Sequence, residues 1–195
     1  MSKSVLYMSM SLDGFITGPD DDLDHGLGLG GERLHHWLSD GGDGVGGFRP
    51  QGLSGEVFDE LMATGAVVVG RRTFDLAGHW EGDHHGVPIF VPTRQPPGDA
   101  SSSPLVTYVT DGIESTMAQA KEAAGAKSVM VHGAATAQSC LRAGVLDELE
   151  IHLIPVLLGD GRRLFEHLGT EHIELGLARI VDAPGVTHLR YRVEP

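Results

Sequence analysis

The order in which strand-like and helix-like segments follow one another is the feature that most constrains the fold of this chain. Dense apolar or β-branched runs, typical of buried strands, occur at 5–12, 66–70, 87–93, 105–110, 128–133 and 148–158. Helical patterns lie between several of them, at 55–65, 112–127 and 135–144. Such alternation predicts parallel strands joined by right-handed helical crossovers.

The C-terminal segment follows a different pattern. Residues 172–193 read as two strands around the turn Asp182–Gly185, with clear alternation in "THLRYRV". The predicted fold is therefore α/β, a mixed and mainly parallel β-sheet flanked by helices and closed by an antiparallel hairpin. No repeat or linker divides residues 1–195, so one domain is expected.

Two regions lack a sustained period and are predicted to be loops. The glycine-rich stretch Gly26–Gly55 contains one short helical turn around Glu32–Leu38, and we expect its loops to cover a cleft. The polar segment Thr93–Pro104 lies inside the alternating pattern and is expected at the surface.

Composition limits the partners and the compartment. A net charge of −13 argues against nucleic acid, which requires a basic stripe. No apolar run is long enough to span a membrane, and nothing at the N-terminus resembles an export signal, so we expect a soluble, cytoplasmic protein without a membrane partner. The single cysteine, Cys140, fits a reducing compartment and is expected to be buried on a helix.

No metal site is expected. Asp20, Asp22 and Asp24 alternate as in a calcium loop, but glycine stands where that loop requires its final glutamate. The adjacent pairs His35-His36 and His84-His85 lack the spacing that places two imidazoles on one helical face, and solvated histidines are the simpler interpretation.

Residues suited to an anion recur where predicted strands end. Glycine lets a backbone approach a phosphate, threonine adds a hydroxyl donor, and arginine offers a planar fork. Taken singly, each stretch reads more simply as a turn or a solvated loop, but their recurrence in an acidic chain favours a phosphate-bearing ligand. No GxGxxG fingerprint follows the first strand. The stretches are Gly70-Arg71-Arg72-Thr73, Thr93-Arg94, Gly133-Ala134-Ala135-Thr136 and the "GDGRR" loop with Arg162 and Arg163.

Together the motifs "SLDGFI", "VVVGRRTFD", "MVHGAATAQSCL" and "LDELEIHLIPVLLGDGRRLF" resemble the dihydrofolate reductase-like superfamily. The nearer resemblance is to the branch that contains the reductase domain of the bacterial riboflavin-biosynthesis deaminase-reductase and its stand-alone relatives. The resemblance covers nearly the whole chain. It implies an NADPH-dependent oxidoreductase that transfers hydride to a C=N or C=O of a pterin-, pyrimidine- or flavin-like small molecule.

The resemblance also implies roles for the strand-end residues in binding NADPH. Arg71 would meet the 2′-phosphate, with Thr93 and Arg94 beside it, and Arg72 and Thr73 would approach the pyrophosphate. Gly133 to Thr136 match the pyrophosphate turn, although Ala134 stands where the family commonly has a second glycine. The remaining cofactor positions implied are Gly70, and Ser9, Ile16 and Thr17 near the nicotinamide.

Substrate residues follow from the same resemblance. His152 matches a substrate-facing strand position, where an imidazole can bond a heterocycle or donate a proton. Asp13 is a second catalytic candidate, for which turn formation is the simpler explanation. Arg162 and Arg163 would receive an anion such as a ribityl phosphate, or else form a salt bridge with nearby acids such as Glu148 or Glu166. His35 and His36 stand near where folate reductases carry an acid, which argues against a folate substrate.

Two other functions remain open at this point. The chain could bind NADP without turnover, or act as a dimeric interaction protein with a vestigial cleft. A homodimer is expected in each case, by analogy with the family and because "LDELEIHLIPVLL" is a long apolar strand that needs cover.

Overall fold

The computed structural model describes residues 2–39, 48–98 and 103–194. Ten strands, four α-helices and two 3-10 helices follow one another along these ranges. The strands are β1 (Ser4–Ser11), β2 (Phe15–Thr17), β3 (Ala66–Val69), β4 (Ile89–Pro92), β5 (Val106–Val109), β6 (Val129–His132), β7 (Glu148–Ile154), β8 (Arg162–Arg163), β9 (Leu175–Ala183) and β10 (Val186–Val193). The helices are α1 (Gly52–Met62), α2 (Arg71–Leu76), α3 (Ile113–Ala124) and α4 (Ala134–Arg142), with 3-10 helices at Gly31–Leu38 and Gly78–Gly82.

Eight strands form one sheet in the order β5-β4-β3-β6-β1-β7-β10-β9. The first six in that order run parallel, whereas β10 is antiparallel to both β7 and β9. The short strands β2 and β8 form a separate antiparallel pair. The predicted mixed, mainly parallel sheet with a C-terminal hairpin is therefore confirmed, and the carboxyl ends of the parallel strands meet at one edge.

The sheet is covered on both faces. On one face, α3 and α4 bury Met117, Ala120 and Cys140 against Leu6 and Val131 of the central strands. On the other, α1 and α2 bury side chains such as Leu61 and Phe74, and the 3-10 helix 31–38 packs Trp37 near the end of β7. Strands with covered faces on both sides need no alternation, which explains the continuous apolar runs in the sequence. None of the described helices is long and apolar enough to cross a membrane.

Three local expectations need comment. The short helical turn near 32–38 is confirmed as the 3-10 helix, while residues 40–47 of the surrounding stretch and residues 99–102 of the second loop lie outside the described ranges. Helix α1 begins at Gly52, earlier than the predicted start at residue 55. Ser54 is therefore the third residue of the helix and does not precede the helix. Strand β7 is enclosed between β1 and β10, so the argument that it needs a partner subunit for cover is wrong.

Candidate functional site

Two glycines let the ends of β3 and β6 approach each other closely. A Cβ atom on Gly70 would lie 2.6 Å from Thr136 Oγ1, and one on Gly133 would lie 2.4 Å from Thr73 Oγ1. Real Cβ atoms do not approach other atoms so closely, and Gly133 also has a φ of 89°. Each threonine therefore fits against the glycine of the neighbouring strand end.

Helix α4 starts within this glycine cradle, defined here as Gly70, Thr73, Gly133 and Thr136. The N–H groups in the first turn of an α-helix have no carbonyl partner within the helix, and its dipole favours an anion there. Ala134, at the place of the family's second glycine, is buried in the core beneath the sheet. Its methyl group therefore packs inward, while Ala135 is exposed.

The two arginines after β3 have carboxylate partners. Arg71 Nε donates to both oxygens of Asp75 at 2.8 Å. Arg72 donates to the Asp21 carboxylate at 2.9 Å, and Arg162 approaches the same carboxylate at 3.4 Å. Burial opposes ionisation of Asp21, but the hydrogen bonds from its two arginines outweigh it and lower the pKa of this carboxyl.

Asp21 thus links the loop after β2 to two of the strand-end stretches. A surface cleft of about 580 Å³ opens beside these ion pairs. It is lined by Asp21, Asp22, Leu23, Arg71, Arg72, Asp75 and Leu76.

The pair Thr93-Arg94 lies at the end of β4, next to β3 in the sheet. Thr93 Oγ1 donates to the carbonyl of Gln95 at 3.1 Å. Arg94 is exposed and forms no ion pair with any residue in the described ranges. The stretches after β4, β3 and β6 therefore occupy three adjacent strand ends, as the parallel arrangement predicted.

The loop after β1 is held by Asp13 and Arg163. The Asp13 carboxylate accepts hydrogen bonds from Ser11 Oγ at 2.5 Å and Gly159 N at 2.8 Å, and these bonds lower its pKa to about 2. Arg163 lies 4.4 Å from the Phe15 ring centroid and donates to the carbonyl of Asp13 at 3.0 Å. Asp13 is therefore ionised and closes the turn.

Beyond that turn, Ile16 packs into the core, and Thr17 Oγ1 is buried without a hydrogen-bond partner among the described residues. An orphaned buried hydroxyl is uncommon, because leaving it unpaired costs roughly 1–3 kcal/mol. The basic loop meets this strand, since Arg162 pairs with Thr17 and Arg163 with Phe15 in the β2-β8 ladder. The described partners of Arg162 and Arg163 are thus Asp21, Asp13 and Phe15. Arg162 does form the salt bridge to an acid that was the alternative, but its partner is Asp21 and not Glu148 or Glu166.

Aromatic and imidazole side chains form a buried, mutually packed cluster on the α1 face of the sheet, which we call the histidine pocket. His152 on β7 stands beside Ser9 on β1 and His188 on β10. Trp37 covers them, donating from Nε1 to Ser9 Oγ at 2.9 Å with its ring centroid 4.5 Å from that of His152. His152 Nδ1 lies 2.8 Å from His188 Nδ1. Its Nε2 is buried and has no partner among the described residues.

Further histidines border this pocket. Burial lowers the pKa of His132, at the end of β6, to about 3 and that of His35 to about 4, and it lowers the pKa of His152 well below its usual value. His35 Nδ1 is also buried without a described partner. The expectation of solvated pairs is therefore wrong for His35 and for the partly buried His84, whereas His36 is exposed. These buried imidazoles are neutral at pH 7, when each offers one donor and one acceptor.

Sequence reasoning missed His188, His132 and Trp37. His132 is the third residue of the quoted motif "MVHGAATAQSCL", and its position before the glycine was an available signal. The pairing of His188 with His152 depends on the register between β10 and β7, which no local pattern reports. Within the described ranges, no three His, Cys, Asp or Glu side chains are grouped so as to hold a metal ion.

Comparison with known proteins now assigns the family. Residues 3–189 match the model of the RibD C-terminal domain. The chain belongs to this family. The uncharacterized protein YwjB of Bacillus subtilis is 27% identical over 171 residues, which span 87% of this chain and 86% of that protein.

Solved structures of similar proteins share the fold. A Shewanella sp. PV-4 protein named for riboflavin biosynthesis has a TM-score of 0.73 at 22% identity, with each chain fully covered. A pyrimidine reductase-like protein of Corynebacterium diphtheriae has a TM-score of 0.61 at 14% identity, covering all of this chain and 92% of the other.

The third structure is the Thermotoga maritima deaminase and 5-amino-6-(5-phosphoribosylamino)uracil reductase, with a TM-score of 0.65 at 13% identity. It covers 98% of this chain, which spans 56% of the Thermotoga chain. The superfamily resemblance is thereby confirmed. A reductase-like domain of riboflavin biosynthesis is the functional class that this family indicates.

Proposed function

We propose that this protein is an NADPH-dependent reductase of a pyrimidine-like heterocycle. The observation that carries the proposal is the position of the neutral histidine pocket beside the glycine cradle, at the carboxyl ends of β6, β1 and β7. A dinucleotide and a small heterocycle bind side by side at such an edge in open α/β sheets. The substrate named for the Thermotoga relative, 5-amino-6-(5-phosphoribosylamino)uracil, is the first to test.

The residues present fit NADPH. Gly70 and Gly133 lack a Cβ, which lets Thr136 and Thr73 pack against them. The first turn of α4 starts at this point, and its N–H groups would meet a pyrophosphate. The orphaned hydroxyl of Thr17 provides a donor on the β1 side, where the resemblance puts the nicotinamide. Arg71 and Arg94, with Thr93, would hold the 2′-phosphate, and Gly133 to Thr136 the pyrophosphate. When bound, NADPH supplies the hydride.

The chain's own contribution is orientation, exclusion of water and a proton. His152 Nε2 is a buried polar atom without a described partner, and it can donate to, or accept from, a heterocycle. A neutral imidazole suits an uncharged pyrimidine, because a buried charge there would remain unpaired. Arg162 would exchange its long 3.4 Å contact with Asp21 for a substrate phosphate.

The first experiment is a titration with NADPH and NADH, followed by energy transfer from Trp37 and Trp80. We expect NADPH to bind more tightly, and Arg71→Ala to weaken NADPH binding roughly tenfold to a hundredfold while leaving NADH binding unchanged. Arg142→Ala, on the distal end of α4, is the matched control and should change neither. If the folded protein binds neither nucleotide, the proposal is wrong.

Turnover is tested next by the loss of NADPH absorbance in the presence of 5-amino-6-(5-phosphoribosylamino)uracil. A reductase oxidises NADPH in proportion to the uracil added. Nucleotide binding without oxidation of NADPH by any of a panel of pyrimidines and pterins would favour a silent NADP-binding protein instead.

A homodimer is part of the proposal because one part of a sheet face, at β9 and β10, is apolar and open. Leu175, Leu177 and Ile180 of β9 are 41%, 53% and 56% exposed. They pair with Val193, Tyr191 and Leu189 of β10, so all six side chains lie on one face. Open apolar patches of this kind mark protein interfaces.

Light scattering measures the mass of this assembly in solution. We expect a dimer for the wild type and a monomer for Ile180→Glu, which puts a charge in the middle of the patch. A monomeric wild type would remove the homodimer from the proposal.

A further inference from the structure

A row of hydrogen bonds connects the histidine pocket to the outside of the sheet. Ser54 Oγ on α1 lies 3.1 Å from His188 Nε2, and His188 Nδ1 lies 2.8 Å from His152 Nδ1. His152 Nε2 ends the row inside the pocket, buried and without a described partner. All three residues are buried, and Ser54, at 8% exposed against 0% for His188 and 2% for His152, is the end of the row with the most residual access to solvent.

Only two arrangements of protons satisfy both hydrogen bonds with neutral rings. In the first, Ser54 donates to His188 Nε2, His188 Nδ1–H donates to His152 Nδ1, and His152 Nε2 carries a hydrogen into the pocket. In the second, every donor and acceptor is reversed, and His152 Nε2 presents a lone pair. The two rings therefore always hold opposite tautomers, and one concerted shift interconverts the arrangements.

We propose that Ser54, His188 and His152 form a proton relay that supplies the heterocycle during its reduction, a role that rests on the proposed reductase function. His152 Nε2 gives its proton to the nitrogen of the reduced C=N bond, while hydride reaches the carbon. His152 Nδ1 takes the proton of His188 Nδ1, His188 Nε2 takes that of Ser54 Oγ, and Ser54 takes one from solvent. One proton enters and one N–H bond forms, and no imidazolium appears.

The row returns to its first arrangement after the product leaves. Water that enters the emptied pocket protonates His152 Nε2, the two rings shift back, and Ser54 returns a proton to solvent. His152 is the catalytic residue of the relay because it alone faces the substrate. His188 and Ser54 act through it and are positioning residues.

The relay predicts a tautomer pattern in the free protein, which nitrogen-15 NMR of the imidazole rings measures without substrate or cofactor. We expect His152 and His188 to hold opposite tautomers. Ser54→Ala should change the ratio of the two tautomers in these rings, and Ser54→Thr, which keeps the hydroxyl, should restore the wild-type ratio. Ser115→Ala, also at the third position of a helix, is the control that leaves the ratio unchanged. Identical tautomers in both rings, or no response to Ser54→Ala, would overturn the relay.

Steady-state rates with NADPH and 5-amino-6-(5-phosphoribosylamino)uracil provide the second measurement. Ser54→Ala and His188→Gln should lower kcat at least about tenfold with KM unchanged, and the solvent deuterium effect on kcat should differ from that of the wild type. The His188→Gln substitution preserves a hydrogen bond to His152, but its amide cannot exchange a donor nitrogen for an acceptor nitrogen. Unchanged kcat in both variants contradicts the relay. A wild type without turnover contradicts the reductase function instead, and the NMR result still decides the relay.

Discussion

Gly133 provides the sharpest test of the glycine cradle, through Gly133→Ala. Two separate costs are expected. An alanine at φ 89° and ψ 146° is held in a region that L-residues rarely adopt, which costs about 1–3 kcal/mol. Its Cβ would also lie 2.4 Å from Thr73 Oγ1, and relief of such an overlap typically costs a further 1–3 kcal/mol. The free energy of unfolding should therefore fall by about 2–6 kcal/mol.

Two further variants separate these costs. Thr73→Ala removes Oγ1 and leaves 3.3 Å to the next nearest atom, Thr73 Cβ, so Gly133→Ala in that background should cost only the backbone part. Gly144→Ala is the matched control, because Gly144 has a φ of 64° and nothing within 4 Å of the added Cβ. Urea denaturation, followed by tryptophan fluorescence, measures the wild type, the three single variants and the double variant.

The result that would refute the reasoning is equally definite. Equal costs for Gly133→Ala and Gly144→Ala, or no recovery with Thr73→Ala, would show that β3 and β6 do not approach as closely as described. Space for a pyrophosphate at this edge would then need a different explanation. Such a result would leave the histidine pocket unaffected, because it lies on the neighbouring strands β1, β7 and β10.

Three further predictions concern stability and reactivity. Burial lowers the pKa of His188 from 6.5 to about 4, so its contribution to stability is complete above about pH 6.5 and lost as pH falls towards 4. Between pH 6.5 and 4, the free energy of unfolding measured in urea should fall by about 3 kcal/mol less in His188→Gln than in the wild type. Burial raises the pKa of Cys140 to about 12, so a thiol reagent should label it only after unfolding, and rapid labelling of the native protein would contradict its burial. Arg190→Met removes the 2.8 Å partner of the buried Glu148, which keeps its ion pair with Lys3, and should cost about 1–3 kcal/mol by thermal or urea unfolding. Arg192→Met should cost little, and equal effects would contradict this account.

The expectations about the arginines show where sequence reasoning reaches its limit. Their position after the strands was predictable, because a strand end is visible in the local pattern. Their partners were not, because Asp21 reaches Arg72 and Arg162 from a loop that is distant from both in sequence. Glu148, the partner suggested for the basic loop, lies on β7 beside Lys3 and Arg190. A list of charges does not specify which pairs meet.

The burial of the histidines is a second property that the sequence did not predict. A pair such as His35-His36 carries no sign of which ring is exposed, and the 3-10 helix decided it by turning Leu34 and Trp37 into the core and leaving His36 outside. Burial in turn decided protonation, since the pKa of an imidazole falls when its charged form loses water. The chemistry of the pocket thus follows from packing.

The sequence by itself determined the class of fold and indicated the family, and it predicted that glycines, threonines and arginines would gather at one edge of the sheet, because alternation, glycine and apolar density act over a few neighbouring residues. It also singled out His152. Tertiary structure alone decided that His188 meets His152, that the methyl group of Ala134 points into the core, and that Asp21 joins two arginines. These contacts depend on strand register and on loops that cross the sheet. Such relations are set by the free energy of the whole packed chain, and no local pattern carries them.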